Sequence, residues 1–221
     1  MRDDVIRRQL SDAIVRGDVG TAEAKARILG QYADDPTEAL DDLYDALRTA
    51  EGLHTVGEFD EERFAASMNA TRASLDVLRS SLIPRQSRFT ARICVGPVSG
   101  GNDVMVAIMA AMLAAAGHQV TDLSRSTTPK ELLRNAEQNG AELLVVCFDE
   151  QTIGLAREFA NEFESGGFRN KFNAAVFCRG SPWTPVEPSP FAFVASEPLE
   201  LLSRATEYLI KSRTSAQRET R

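Results

Sequence analysis

The sequence lacks any apolar run long enough to cross a membrane. Its longest apolar stretches, such as Val104–Ala116, fall well short of the roughly 20 residues that a transmembrane helix needs. The first residues, MRDDVIRRQLSDAIVRGD, mix charges of both signs and contain no apolar secretory core. We therefore expect no membrane association and a cytoplasmic location.

The sequence also has few cysteines and histidines, and it has no excess of positive charge. The 221 residues include three cysteines and two histidines, and the formal net charge is −7. Cys94, Cys147 and Cys178 each close or nearly close an apolar run, which is typical of buried thiols and not of a disulfide framework or a zinc site. Because phosphate recognition favours a basic surface, the negative charge predicts no direct nucleic-acid binding.

The first 82 residues show helical periodicity and no strand pattern. Asp35–Pro36–Thr37 is a signal for the start of a helix, and Gly52 and Gly57 bracket a predicted turn that contains His54. The pattern predicts a four-helix bundle over residues 1–82. Its first predicted helix ends at Gly17–Asp18, and the others span Thr21–Gln31, Glu38–Glu51 and Glu61–Leu82.

Residues 83–90, IPRQSRFT, lack periodicity and contain a proline, so we interpret them as a linker. Beyond them, short apolar strands alternate with helices, which predicts an α/β domain with a parallel sheet covered on both faces. Five strands over residues 91–211 fit a flavodoxin-like sheet of order 2-1-3-4-5. The predicted strands are Arg92–Val95, Gln119–Leu123, Glu142–Phe148, Ala174–Cys178 and Phe191–Val194. The last predicted helix is Glu197–Lys211, and residues 212–221 are expected to be a disordered tail.

The carboxyl edge of this predicted sheet is the expected place for a ligand, because ligands of such folds bind near the point where the strand order reverses. This rule brings together the segments Gly96–Asn102, Cys147–Thr152 and Cys178–Trp183.

The first of these segments, GPVSGGN at Gly96–Asn102, leads from a strand into a helix, a setting that lets an anion approach the backbone. In a dinucleotide site, Asp122 would be the required acid, although the glycine spacing differs from the dinucleotide-binding fingerprint. In a flavin mononucleotide site, Ser99 would be the only hydroxyl of this loop. In a phosphoacceptor domain, Asp149 would be the only acid at the strand ends. A tight turn without a ligand is the fourth interpretation.

Four longer stretches resemble the cobalamin-binding module family, in which a helical cap precedes a flavodoxin-like corrinoid domain. The cap resembles this family in SDAIVRGD (Ser11–Asp18) and GLHTVGEFDEERF (Gly52–Phe64). The second half does so in NDVMVAIMAAMLAAAGHQVTDLS (Asn102–Ser124) and TPKELLRNAEQNGAELLVV (Thr128–Val146). The resemblance implies a cobalamin cofactor held between the cap and the carboxyl edge of the sheet.

The family's signature motif is nevertheless absent. Relatives carry Asp-x-His-x-x-Gly after the first strand, where the histidine is the lower axial ligand of cobalt and the aspartate orients it. Here Asn102 stands at the histidine position and Met105 at the glycine position. The resemblance thus implies cobalamin bound without that histidine, with Arg179 facing the phosphate of the nucleotide tail. The candidate cofactor-binding residues of this half are Gly96, Ser99, Gly100, Gly101, Asn102, Cys147, Asp149, Arg179 and Gly180.

His54 aligns with a bulky aromatic residue that lies over the upper face of the corrin in related proteins. A neutral imidazole there could ligate cobalt, or the iron of haem, from above, so His54 is both a candidate cofactor contact and a candidate metal ligand. The alternative is a solvent-facing turn residue. His118 precedes the second strand at the opposite edge of the sheet, and we interpret it as structural.

No Ser/His/Asp arrangement, close carboxylate pair or metal-ligand cluster stands out, so we expect no catalytic activity of its own. The resemblance implies a sensory or regulatory protein that binds cobalamin or haem and acts through a protein partner such as a transcription regulator. One alternative is a corrinoid methyl carrier that serves a methyltransferase, with cobalamin bound base-on, which means that its own benzimidazole stays on the cobalt. A ligand-free scaffold is another, and a homodimer is compatible with each.

Overall fold

The computed structural model describes residues 2–32, 36–82, 90–99, 103–125, 128–149, 152–178 and 189–219. The chain divides into two compact units between Pro84 and Arg85. Most of the predicted linker, residues 83–89, lies outside the described residues. Within the described residues, no helix combines the length and the apolar character that crossing a membrane requires.

The amino-terminal unit consists of four helices, as the periodicity predicts. Its core is made of leucine and alanine side chains from all four helices, and Tyr44 lies fully buried among them. The helices are α1 (Arg2–Val15), α2 (Val19–Tyr32), α3 (Pro36–Thr55) and α4 (Glu61–Ser81).

Local hydrogen bonds and close packing fix the turns of this unit. Gly17, at the end of α1, has φ +71°, and a Cβ there would lie 2.6 Å from the Cβ of Ala66 in α4. Asp18 accepts a hydrogen bond of 3.0 Å from the N–H of Thr21, as an N-cap does. Only glycine therefore allows both the left-handed backbone and the close approach of α4.

Helix α3 is longer than the sequence predicts. It continues through Gly52 to Thr55, and the left-handed Gly57 (φ +79°) follows it. The predicted turn between the two glycines is therefore wrong in its first half, and His54 lies in the last turn of a helix. Gly52 lowers helix propensity by only about 1 kcal/mol relative to alanine, a cost that the rest of the helix outweighs.

The carboxyl-terminal unit contains a five-stranded parallel sheet of order β2-β1-β3-β4-β5, which confirms the predicted topology. Its strands are β1 (Arg92–Pro97), β2 (Gln119–Asp122), β3 (Leu143–Phe148), β4 (Asn173–Cys178) and β5 (Val194–Ala195). Its helices are α5 (Asp103–Ala115), α6 (Pro129–Gln138), α7 (Ala156–Ser165) and α8 (Pro198–Glu219).

One face of this sheet packs against α6 and α7. Alternate strand residues, among them Leu144, Val146 and Phe148, form a buried cluster with side chains of both helices. Phenylalanines dominate the cluster, and the ring of Phe159 in α7 lies 6.3 Å from that of Phe148. Helices α5 and α8 contact each other and the strands β1, β2 and β5, so helices cover both faces as predicted.

Strand β5 begins later than predicted. Phe191, the expected first residue, turns its ring into the aromatic cluster, 6.0 Å from that of Phe159. Backbone pairing with β4 has already begun at Ala192, whose N–H donates to the carbonyl of Ala174 over 2.8 Å. The predicted segment thus pairs with the sheet, although regular strand geometry is confined to Val194–Ala195.

The predicted disordered tail is wrong for most of its length, because α8 continues to Glu219. The segment contains neither glycine nor proline. The hydroxyl of Ser212 donates to the carbonyl of Tyr208, and Arg213 donates to the carbonyl of Thr90 and to the carboxylate of Glu142. These contacts hold the added turns on the sheet unit.

The aromatic cluster predicts a large effect of Phe159→Ala. The ring is fully buried and contacts three other phenylalanines, so its removal should lower the free energy of unfolding by about 3–5 kcal/mol. Urea unfolding measures this, with Tyr32→Ala as a control that should cost less than about 0.5 kcal/mol because that side chain is 71% exposed. Equal losses in the two variants would contradict the assigned core.

Candidate functional site

The structure places three of the predicted site residues, Ser99, Cys147 and Asp149, at the carboxyl edge of the sheet. Pro97 of β1 pairs with Cys147 of β3, so Ser99 and Asp149 follow at matching positions beyond the two strands. The N–H of Val98 donates to the carbonyl of Cys147 over 3.2 Å and extends the pairing past the strand end. The predicted Gly100, Gly101, Asn102, Arg179 and Gly180 lie outside the described residues.

Gly96 has a packing role in the structure. It belongs to β1 and not to the loop, and a Cβ on it would lie 2.5 Å from Cδ1 of Leu132 and 3.0 Å from Cβ of Leu123. The close approach that its missing side chain permits is therefore to α6. The role of Gly96 in cofactor binding stays a prediction.

Asp149 organises its own loop. Its Oδ1 accepts hydrogen bonds from the N–H of Thr152 at 2.9 Å and from the Thr152 hydroxyl at 2.8 Å. The N–H of Asp149 donates to the same hydroxyl oxygen over 2.9 Å, which completes a reciprocal cap. Among the described residues, no three side chains of His, Cys, Asp or Glu come together in a way that could hold a metal ion.

The three cysteines are buried and form no disulfide with one another, as predicted. Burial raises the pKa of Cys94 to about 11 and also raises the pKa of Cys147 and Cys178, so all three remain thiols at neutral pH. Cys147 lies between Val146 and Phe148 of the aromatic face, so its side chain lies on the opposite face of the sheet. A neutral thiol there can line a site but cannot act as a nucleophile.

A polar cavity at the end of β2 was missed by the sequence analysis. It has a volume of about 360 Å³ and is lined by Asp122, Leu123, Ser124, Arg125, Glu131 and Asn135. Asp122 accepts a hydrogen bond of 2.8 Å from the N–H of Ser124 and shapes the turn. The sequence signal that could have indicated this cavity is the polar pair Ser124-Arg125, directly after a predicted strand.

His54 is the one predicted metal ligand, and its ring is held from two sides. Nδ1 lies 3.1 Å from the carbonyl oxygen of Phe59, and the ring stacks on Phe64 at a centroid distance of 4.6 Å. Because a carbonyl only accepts, Nδ1 carries the hydrogen in the neutral ring and Nε2 keeps a lone pair. The side chain is 32% exposed, and Nε2 lies 3.5 Å from a carboxylate oxygen of the exposed Glu61. This arrangement resembles the way that metal-binding imidazoles are oriented.

His118 lies at the other edge of the sheet, as predicted. Its side chain is buried beside the start of β2, and Nδ1 accepts a hydrogen bond of 3.4 Å from the N–H of Ala91. Burial lowers its pKa, and the charge of Arg213 lowers it further while Glu142 opposes this change. The structural interpretation therefore fits its surroundings.

With this geometry established, comparison with known proteins bears on the fold. The sequence matches no protein-family model and no curated protein. A corrinoid protein for monomethylamine from Methanosarcina barkeri has a similar structure, with 15% identity and a TM-score of 0.75, over 93% of this chain and 99% of that one. At this identity the likeness shows a shared fold.

Two further solved structures are similar with lower scores. One is a cobalamin-binding protein from Desulfitobacterium hafniense DCB-2, with 16% identity and a TM-score of 0.44 over 91% of this chain and 98% of that one. The other belongs to a methanol:cobalamin methyltransferase complex from Methanosarcina barkeri, with 18% identity and a TM-score of 0.45 over 94% of this chain and 80% of that one.

The tight fit at Gly96 predicts that Gly96→Ala destabilises the protein by about 1–3 kcal/mol, because Leu132 and Leu123 must shift to admit the methyl group. Gly154→Ala is the matched control, since a Cβ at that position meets no atom within 4 Å. Chemical unfolding of both variants measures the difference. A Gly96→Ala protein as stable as the control would contradict the packing role.

The buried His118 predicts a loss of stability in mild acid. Its pKa is lower in the folded chain than its ordinary value of 6.5, so below that pH the unfolded chain binds a proton that the folded chain excludes. The free energy of unfolding should therefore decrease as the pH falls below about 6.5. His118→Gln should flatten this part of the profile, as measured by urea unfolding between about pH 7.5 and pH 5.5. An unchanged slope would contradict the assignment.

Proposed function

We propose that the chain is a cobalamin-binding sensory or regulatory protein that acts through a protein partner. Two observations support cobalamin binding: the stretches that resemble the cobalamin-binding module, and a fold shared with a corrinoid protein along almost the whole chain. The sensory or regulatory role rests on the positions of the two histidines. The chain has two histidines, of which His118 is buried at the amino edge of the sheet and His54 belongs to the helical unit.

The carboxyl edge fits a cobalamin that keeps its own base. The side chain of Phe148 is fully buried against Phe159, so this large ring does not stand in the way of a ligand. Ser99 and Asp149 are half-buried small polar residues beyond the strands, and they are the described residues that would contact the cofactor. No imidazole of this unit reaches the edge, so base-on binding is the mode that its residues favour.

His54 is the residue that would approach the cobalt from the cap. The Phe59 carbonyl and the Phe64 ring already fix its orientation, and Nε2 carries the lone pair that a metal needs. Bound cobalamin would supply the reactive cobalt, and ligation by His54 would shift its absorbance bands. Haem iron accepts the same nitrogen and is the lesser alternative.

A sensor requires different things from its cofactor than a carrier does. A sensor needs only a ligand that binds one of two conformations better than the other, because this difference shifts the population that a partner reads. A methyl carrier also needs a cobalt centre tuned for repeated methyl transfer, a task for which related proteins use the missing histidine. The absence of this ligand favours the sensor, and we expect a cytoplasmic protein with a transcription regulator as its partner.

The second candidate is a corrinoid methyl carrier for a methyltransferase. The likeness to the monomethylamine corrinoid protein favours it, because it extends over 93% of this chain and 99% of that one. Neither candidate requires the chain itself to be an enzyme, and both are compatible with a homodimer. A methyltransferase encoded beside this protein would favour the carrier, and a transcription factor in that place would favour the regulator.

Pigment retention tests the proposal. The full chain is mixed with hydroxocobalamin, desalted and examined by absorbance spectroscopy, with haemin as a parallel arm. We expect retained cobalamin whose bands shift in His54→Ala, because Nε2 is the ligand nitrogen that the cap offers. His118→Gln is the matched control, since it removes the other histidine and should leave the bands unchanged.

The outcomes of this experiment distinguish cobalamin binding, haem binding and a ligand-free scaffold. Failure to retain cobalamin would overturn the proposal and leave haem binding, if haemin is retained, or a ligand-free scaffold. Retention with bands that ignore His54→Ala would preserve cobalamin binding and remove His54 as a ligand. A shift in both histidine variants would indicate a change in folding instead of ligation, which circular dichroism of the variants would reveal.

A further inference from the structure

A second cavity lies at the amino edge of the sheet, away from the carboxyl edge considered above. It has a volume of about 400 Å³, which falls within the range of roughly 300–1,000 Å³ that is usual for small-molecule sites. The first residues of β1 and β4, Arg92 and Asn173, line it together with the end of α6 and the carboxyl-terminal half of α8. Because β1 has six residues at about 3.3 Å each, this cavity lies about 20 Å from the carboxyl edge.

The charges around this cavity are unequal. Three cationic side chains, Arg92, Lys171 and Arg213, line it with two carboxylates, Glu137 and Glu142. Lys171 pairs with Glu137, and Arg213 donates to Oε2 of Glu142 over 2.9 Å. The remaining oxygen of Glu142, Oε1, accepts the backbone N–H of Arg92. Both carboxylates are thus engaged by other groups.

The guanidinium of Arg92 is the cation that neither carboxylate contacts directly, although its charge, after the Arg213 hydrogen bond, helps to lower the pKa of Glu142. Among the described residues, no carboxylate forms an ion pair with it. It lies over Gly140, where a Cβ would be 3.2 Å from Nη1, and the left-handed φ of +62° favours glycine at that position. The absence of a side chain at Gly140 therefore leaves the donor groups of Arg92 accessible from the cavity.

The inner wall of the cavity is apolar. Ala141, Phe172 and Leu209 line it and are almost fully buried. A ligand that joins one anionic group to a short hydrocarbon part would place its charge at Arg92 and its carbons against this wall.

We propose that the amino-edge cavity binds a small organic oxyanion, a phosphate or carboxylate group, with the Arg92 guanidinium as its main donor. The planar guanidinium matches two oxygens of either group. Lys171 and Arg213 stand at the same cavity and offset the charges of Glu137 and Glu142, so the charge of Arg92 is in excess. This proposal does not depend on cobalamin binding, because it involves the opposite edge of the sheet and is tested on the cobalamin-free protein.

Isothermal titration calorimetry of the full chain at constant ionic strength tests the site. The probes are inorganic phosphate, propyl phosphate and butyrate, compared with equal additions of chloride. We expect saturable binding that weakens by at least about tenfold in Arg92→Gln, because a charged hydrogen-bond donor is lost. Arg204→Gln is the matched control, since this arginine pairs with Glu200 in α8 outside the cavity and should bind the probes normally.

The relative affinities identify the source of the oxyanion. Tighter binding of propyl phosphate indicates a phosphate ester, tighter binding of butyrate indicates a carboxylate, and equal binding of both phosphates indicates free phosphate. Arg92→Lys keeps the charge without the planar fork, so it should bind more weakly than the parent and more tightly than Arg92→Gln. No saturable binding of any probe, or equal binding by the parent and by a folded Arg92→Gln protein, would overturn the proposal.

Discussion

The packing of α6 and α7 on one face of the sheet determines which residues reach its carboxyl edge. Because strand residues alternate, the phenylalanine cluster fixes the direction of every neighbouring side chain. It draws Phe148 inward and holds Gly96 against Leu132, while Cys147 faces the other way. The first side chains free of the packed layer are therefore small and polar, Ser99 and Asp149. Among the described residues, this edge has no group of His, Cys, Asp or Glu side chains that could hold a metal ion.

The two edges of the sheet have different chemistry as a result. At the carboxyl edge, Asp149 uses its carboxylate to close a loop with Thr152. At the amino edge, charged side chains from β1, the start of β3 and α8 meet around an apolar wall, with Arg213 joining Thr90 to Glu142. A neutral macrocycle suits the first setting and an oxyanion the second. Under the two proposals, one sheet would bind a different ligand at each edge.

Strand order was predictable because apolar strands alternate with helices and because glycine or proline marks the boundaries. Residue roles were harder to predict from single positions. Glycine spacing does not reveal which face of a strand a residue occupies, so the contact of Gly96 with α6 was hidden. The turn assigned at Gly52 failed because packing outweighs a weak helix former. The amino-edge cavity joins residues from Arg92 to Arg213, and no local pattern connects positions so far apart in the chain.

The positions of the two histidines bear most directly on the choice between a sensor and a carrier. An imidazole buried beneath Ala91 cannot leave its site without exposing an unpaired N–H, so His118 is unavailable to a ligand at the other edge. His54 is oriented by backbone and ring contacts that ligation through Nε2 would leave intact. Under the proposed function, His54 would therefore be the residue that offers a nitrogen to the cobalt of a cobalamin that keeps its own base. A ligand contact of this kind serves a switch better than a carrier, because a switch needs only a ligand that binds one of two conformations better than the other.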